Sequence, residues 1–82
     1  MIDIKEAVGI GTKFLVDMFP DAQGVRLEEV DLTGQYWHVV LSFDGPEPSA
    51  LALMKGQTGR IFKDIKIDLD SGEALGMKVW QM

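Results

Sequence analysis

The hydrophobic residues near the start of the chain recur at steps of three and four, which predicts an amphipathic α-helix. Asp3 and Glu6 have the spacing of a capping box, so we expect this helix to begin directly after Asp3. Pro20 disfavours helical backbone at the residue before it, so we expect the helix to end near Phe19. The predicted apolar stripe consists of Ile4, Ala7, Val8, Gly11, Phe14, Leu15 and Met18.

The segment Gly9-Ile10-Gly11 resembles a fragment of a dinucleotide-binding loop. Such a loop follows a strand, whereas this segment lies inside the predicted helix, so the required context is absent. We interpret both glycines as helix-packing residues. Gly11 falls on the apolar stripe, where the lack of a side chain would let the helix lie close to a sheet.

After Gly24 the hydrophobic period changes to two, which is typical of β-strands with one buried face. Val25 and Leu27 share one phase, but Val30 and Leu32 share the other. A single inserted residue would bring both pairs to the same face of a sheet. We therefore expect a β-bulge near residues 28–29.

Residues 36–43 form the clearest predicted strand, because apolar residues alternate through its whole length. One face would carry Trp37, Val39, Leu41 and Phe43, and the other Tyr36, His38, Val40 and Ser42. Further strands are predicted over residues 61–69 and 74–81, and a short one over residues 50–54. The loop at residues 44–49 contains two prolines and cannot continue a central strand.

Three predicted turns share one chemistry, a hydroxyl residue followed by glycine shortly before a strand: Thr33-Gly34, Thr58-Gly59 and Ser71-Gly72. Glycine supplies the positive φ that tight hairpins require, and the small polar residue bonds the local backbone. Such turns between alternating runs predict a meander. The sequence therefore predicts one α+β domain over residues 1–82, with an N-terminal amphipathic helix packed on an antiparallel β-meander of four to five strands.

Composition and charge narrow the function classes. Eighty-two residues suit one domain, and the formal net charge is −5. Residues 1–54 hold three basic side chains against nine acidic ones, whereas residues 55–82 hold five against four. Nucleic-acid binding needs a basic field that exchanges counterions with phosphates. We therefore expect no nucleic-acid partner.

The chain has no cysteine, so it has no disulfide framework, thiolate metal site or cysteine nucleophile. No run of residues reaches the roughly 18 apolar positions of a membrane span. The N-terminus carries acids where a signal peptide would carry bases. As it stands, the sequence predicts a soluble cytoplasmic protein without a membrane partner, or an extracytoplasmic one if the chain has been trimmed.

His38 is the single histidine and a natural candidate for a general base. Ser42 lies on the same predicted strand face, but about 13 Å away by strand rise, too far for a direct hydrogen bond. We therefore predict that His38 is a sheet residue that faces solvent or a partner. No residue is predicted to be catalytic, and the chain is not expected to be an enzyme.

The acids near the C-terminus suggest a calcium loop at first sight: Asp64, Asp68, Asp70 and Glu73. An EF-hand loop needs glycine at its sixth position and glutamate at its twelfth. Counting from Asp68 places Gly72 fifth and Val79 twelfth. We therefore expect neither a metal nor any other cofactor, and interpret Asp68 and Asp70 as strand-end and turn residues.

One helix of this length cannot cover both faces of a four- or five-stranded sheet. The uncovered face is expected to be partly apolar and to serve as a contact surface for a protein partner or for a second copy. The residues predicted for this surface are Tyr36, His38, Val40, Phe62 and Trp80.

The order of a helix followed by strands at 25–30, 36–43, 61–65 and 67–75 resembles a PepSY-type domain. The most telling part is the strand that ends in Asp70, followed by Ser71-Gly72-Glu73 and a closing apolar strand. The resemblance spans residues 4–80. It implies an α+β domain without catalytic residues of its own, from a family found in peptidase propeptides and bacterial envelope proteins and proposed to bind or inhibit peptidases.

Our leading hypothesis is a non-catalytic protein-interaction or regulatory module that resembles a PepSY-type peptidase inhibitor and uses the open sheet face together with residues 44–49. A second hypothesis is a small-ligand site between helix and sheet, near Phe14, Leu15, Met18 and Trp37. An immunity or antitoxin role is a third, which the acidity of the chain permits.

Overall fold

The computed structural model describes residues 1–44 and 60–79. The elements are helix α1 (Ile4–Met18) and strands β1 (Gln23–Thr33), β2 (Tyr36–Asp44), β3 (Arg60–Asp68) and β4 (Ala74–Val79). The strands form one open antiparallel sheet in the order β1-β2-β3-β4, which confirms the predicted α+β meander. The predicted strand at 50–54, the loop beyond Asp44, the Thr58-Gly59 turn and Trp80 lie outside the described residues.

The helix begins and ends where its sequence predicts. The Asp3 carboxylate accepts a hydrogen bond from the Glu6 amide at 2.8 Å, and the Glu6 carboxylate accepts one from the Asp3 amide at 3.4 Å. These two bonds complete a capping box. At the other end, the Phe19 amide donates to the Leu15 carbonyl at 2.8 Å and caps the last turn before Pro20.

The hydrophobic core lies between α1 and the two central strands. Its fully buried members are Ala7 and Leu15 from the helix, with Val39, Leu41, Phe43, Ile65 and Ile67 from the sheet. The glycine at position 11 brings the helix close, because a Cβ there would lie 3.2 Å from Val39 Cγ1. The close approach expected at Gly11 is confirmed.

The predicted apolar stripe is right in its centre and wrong at its ends. Ile4 is 47% exposed and Met18 is 57% exposed, while Ile2 and Ile10 pack against the core. Ile4 and Met18 lie in the first and last turns of α1, where no further helical turn covers the side chain.

The bulge predicted in β1 is present. Leu27 pairs with Leu41 and Glu29 with Val40, so Glu28 is the extra residue of β1 at this point. Val30 consequently pairs with Val39, on the same face as Leu27. The tight turns at Gly34 and Gly72 have positive φ values of 61° and 72°, as the hydroxyl-glycine pairs predict.

Two hydrogen bonds attach the N-terminus to the sheet. The Ile2 amide donates to the Leu69 carbonyl at 2.9 Å, and Trp37 Nε1 donates to the Ile2 carbonyl at 3.3 Å. The first helical turn is therefore held over the end of the sheet at which β2 begins and β3 ends. The opposite face of the sheet carries no described helix.

Candidate functional site

The pairing register places four of the five predicted surface residues on the sheet face opposite α1. Tyr36, His38 and Val40 alternate with the helix-facing residues of β2, and Phe62 pairs with Ser42 on the same outer face. We call this side the open face, defined by the outward-facing residues of β1–β4. The fifth residue, Trp80, lies outside the described residues.

The open face is largely polar around these residues. Val40 is only 3% exposed and Ser42 is completely buried, so neither offers much surface to a partner. Their neighbours across the strands are charged: Glu29 lies opposite Val40 from β1, and Asp64 lies opposite it from β3. Carboxylates and ammonium groups therefore determine the chemistry of this face, and Val40 adds only a small apolar area.

A polar network crosses three strands at one end of the open face. Arg60 donates to Ser42 Oγ from Nε at 3.3 Å and from Nη2 at 2.9 Å, to the Asp44 carboxylate at 2.7 Å, and to the Gly24 carbonyl at 2.8 Å. Ser42 in turn donates to Glu28 Oε1 at 2.8 Å. All the hydrogen-bonding capacity of the buried hydroxyl is used internally, which makes this network a structural clamp.

His38 has a carboxylate neighbour that is distant from it in the sequence. Its Nδ1 lies 3.4 Å from Asp64 Oδ1, across the β2–β3 ladder. Beside it, the Lys66 ammonium lies 3.9 Å from the centre of the Tyr36 ring, a cation–π contact. The His38 hydrogen bond orients the imidazole, and the lysine covers the tyrosine.

A hollow of about 270 Å³ opens on the open face between β1, β2 and β3. Val40 and His38 come from the central strand, and the flanking strands contribute carboxylates on both sides. Asp31 pairs directly with His38, and Thr33 Oγ1 donates to Asp31 Oδ2 at 3.1 Å. The residues that line this His38 hollow are Glu29, Asp31, Thr33, His38, Val40 and Asp64.

Asp68 stabilises the β3–β4 turn through backbone hydrogen bonds. The Asp68 carboxylate accepts hydrogen bonds from the amides of Ser71 at 2.7 Å and Asp70 at 3.1 Å. Hydrogen bonds from the Ser71 amide and hydroxyl lower the pKa of Asp68, because they stabilise its charged form. Within residues 1–44 and 60–79, no cluster of three or more His, Asp or Glu side chains could hold a metal ion.

A second hollow lies at the C-terminal end of α1. It has a volume of about 490 Å³ and is mostly apolar, with Met18, Phe19 and Phe43 among its lining residues. The Phe19 and Phe43 rings lie 5.2 Å apart between centroids, and Lys63 Nζ lies 5.7 Å from the Phe19 ring. This helix-end hollow is distinct from the ligand site predicted between helix and sheet, where Leu15 is fully buried in the core.

Comparison with known proteins identifies no relative: no family model, curated protein or solved structure matches this chain. The PepSY resemblance therefore stays a prediction. Among the described residues, no helix is long and apolar enough to cross a membrane.

Sequence reasoning missed Asp64 and Arg60 as members of the site. Both lie on β3. The β2–β3 register, in which Val39 pairs with Ile65, determines which β2 residues lie beside them. The alternation of each strand identifies its two faces but not which residues of the two strands lie opposite each other, so the sequence carries no direct signal for this register.

Proposed function

We propose that this chain is a protein-interaction module that binds a basic segment of its partner in the His38 hollow. The observation that supports this most directly is the lining of that hollow, in which three carboxylates lie around the imidazole of His38. Lys and Arg combine an aliphatic stem with a cationic head, so they match such a surface. The part-exposed imidazole of His38, rather than the nearly buried Val40, would contact the stem. Glu29, Asp31 and Asp64 would bind the head.

The charge of the chain supports a cationic partner. The net charge is −5, and the first 54 residues hold nine acids against three bases. Such a field attracts a basic segment over several ångströms and accelerates encounter, with a strong dependence on salt. A nucleic acid, in contrast, would be repelled from this face.

An NMR titration of the protein with an extended, lysine-containing peptide tests the proposal. The matched control is the same peptide with glutamate in place of each lysine. We expect the backbone signals around His38 and Val40 to shift with the lysine peptide only. Binding should weaken at least fivefold when salt rises from about 0.05 to 0.5 M, because the contacts are electrostatic.

The variants Asp31→Asn and Asp64→Asn should each weaken binding, whereas Asp17→Asn on the outer surface of α1 should not. Equal binding of both peptides, or equal effects of all three substitutions, would exclude the His38 hollow as the site.

The peptidase-inhibitor form of this function, which rests on the PepSY resemblance, is a separate proposal. Inhibition of a peptidase by the intact chain would support it.

The helix-end hollow favours a second candidate function, the binding of a small apolar ligand. Its volume of about 490 Å³ is in the range of ligand pockets, and aromatic side chains line it. The fluorescence of 1-anilinonaphthalene-8-sulfonate gives a direct probe. Met18→Gln should weaken its binding, and Val16→Gln, on the exposed surface of the same helix, should leave it unchanged. If neither substitution changes the fluorescence, the hollow is not the binding site.

A further inference from the structure

We propose that two copies of this chain pair through strand β4, which joins their two sheets into one. In the order β1-β2-β3-β4, strands β1 and β4 are the edges of the sheet formed by the described residues. An edge strand presents unpaired backbone groups that can bond a further strand. The two edges differ in how strongly they resist such pairing.

Strand β1 carries the features that block edge pairing. Its register with β2 shifts twice, between Gln23 and Arg26 and between Leu27 and Glu29. Bulges of this kind twist an edge away from a new strand. Acidic side chains also follow one another at 28, 29 and 31, so a second β1 would bring carboxylates together.

Strand β4 has fewer of these features than β1, with one register irregularity instead of two. Its six residues, Ala74–Val79, contain one charged side chain, Lys78. Leu75 is 49% exposed and Val79 is 65% exposed, so both leave apolar surface that a second copy would cover. Gly76 pairs with Lys66 and Ala74 pairs with Ile67, so Leu75 is the extra residue at the start of β4. Residues 76–79 form a regular ladder with β3.

The sequence of β4 is compatible with antiparallel pairing to itself across a two-fold axis. With Met77 on the axis, Gly76 faces Lys78 of the partner subunit, and the two methionines meet. Moving the axis to Lys78 would place two ammonium groups opposite each other, which is unfavourable. We therefore assign the axis to Met77.

The distribution of charge favours the same arrangement. The acidic excess lies in residues 1–54, whereas residues 55–82 carry a small basic excess. Pairing through β4 places the two acidic β1 strands at the far ends of the joined sheet, where their repulsion is weakest. The His38 hollow lies between β1, β2 and β3, so it stays open in the pair, and this inference is independent of the function proposed above.

Analytical ultracentrifugation from roughly 10 μM to 1 mM tests this pairing, since a single short strand makes a weak interface. Position 76 offers a matched pair of variants, because a Cβ there meets no atom within 4 Å. Gly76→Glu should tighten the dimer about fivefold through two new pairs with Lys78 of the partner subunit, and Gly76→Lys should weaken it by a similar factor.

Val79→Lys should also weaken the dimer, and it serves if Gly76→Lys does not fold, because position 79 is exposed. Leu27→Lys, a half-exposed apolar position on the other edge, is the control and should leave association unchanged. The proposal fails if the chain is monomeric at every concentration, if Gly76→Glu and Gly76→Lys change association equally, or if Leu27→Lys disrupts it.

Discussion

Gly11 of the helix lies against Val39 of the central strand so closely that a Cβ atom at position 11 would be 3.2 Å from Val39 Cγ1. Val39 is fully buried and cannot move aside freely. Gly9, on the exposed side of the same helix, has no such neighbour within 4 Å. The interpretation as a helix-packing residue is therefore confirmed for Gly11 and wrong for Gly9.

Alanine substitutions separate these two roles. Gly9→Ala should raise the free energy of unfolding by about 1 kcal/mol, because alanine is the better helix former and meets no clash. Gly11→Ala gains the same propensity but overpacks the core, which costs about 1–3 kcal/mol. Urea denaturation of both variants should show Gly9→Ala to be the more stable by about 1–3 kcal/mol. Equal stability would mean that the helix does not contact Val39 as described.

Removal of the Ser42 hydroxyl should destabilise the fold. Ser42 is fully buried, and Ser42→Ala removes two hydrogen bonds of Arg60 and the hydroxyl that donates to Glu28. We expect a loss of about 1–3 kcal/mol in unfolding free energy. Thr33→Ala also removes a hydroxyl, but from an exposed hydrogen bond, and should change stability by less than about 0.5 kcal/mol. Similar losses in both variants would argue against the Arg60 network.

The Asp3 cap should stabilise α1 measurably. Asp3→Ala removes the acceptor of the Glu6 amide and should lower the unfolding free energy by about 1 kcal/mol. Asp3→Asn keeps an acceptor in the same place and should retain most of the stability. Circular dichroism melts of the two variants measure the difference, and identical melting temperatures would contradict the capping role.

The pKa of Asp68 predicts one component of the acid sensitivity. Because Ser71 lowers this pKa in the folded state, the contribution of Asp68 to stability is complete above the unfolded pKa and is lost as pH falls through the folded pKa. The unfolding free energy of Asp68→Asn should therefore fall less than that of the unsubstituted chain when the pH is lowered from 6 to below the folded pKa of Asp68. NMR titration of the Asp68 carboxyl checks the cause directly, and a pKa at or above the ordinary value would contradict it.

The helix and the hairpin turns could be predicted because their determinants are local. The Asp3–Glu6 box and Pro20 bound α1 within the chain itself, and Gly34 and Gly72 supply turn conformations that other residues adopt with strain. Even the β1 bulge left a local trace, the change of phase between Leu27 and Val30. Tyr36, His38 and Val40 share a face for the same reason, the two-residue period of one strand, whereas Phe62 joins them through the β2–β3 register.

What only the tertiary structure decided depends on residues far apart in the sequence. Arg60 meets Ser42 across 18 positions, and His38 meets Asp64 across 26, because the β2–β3 register brings them together. The period of a strand identifies its two faces but not which residue of a neighbouring strand lies opposite. The sequence by itself therefore determined the elements and their faces. The fold decided that the open face is a charged surface with an acidic hollow, because pairing across strands determines which side chains meet.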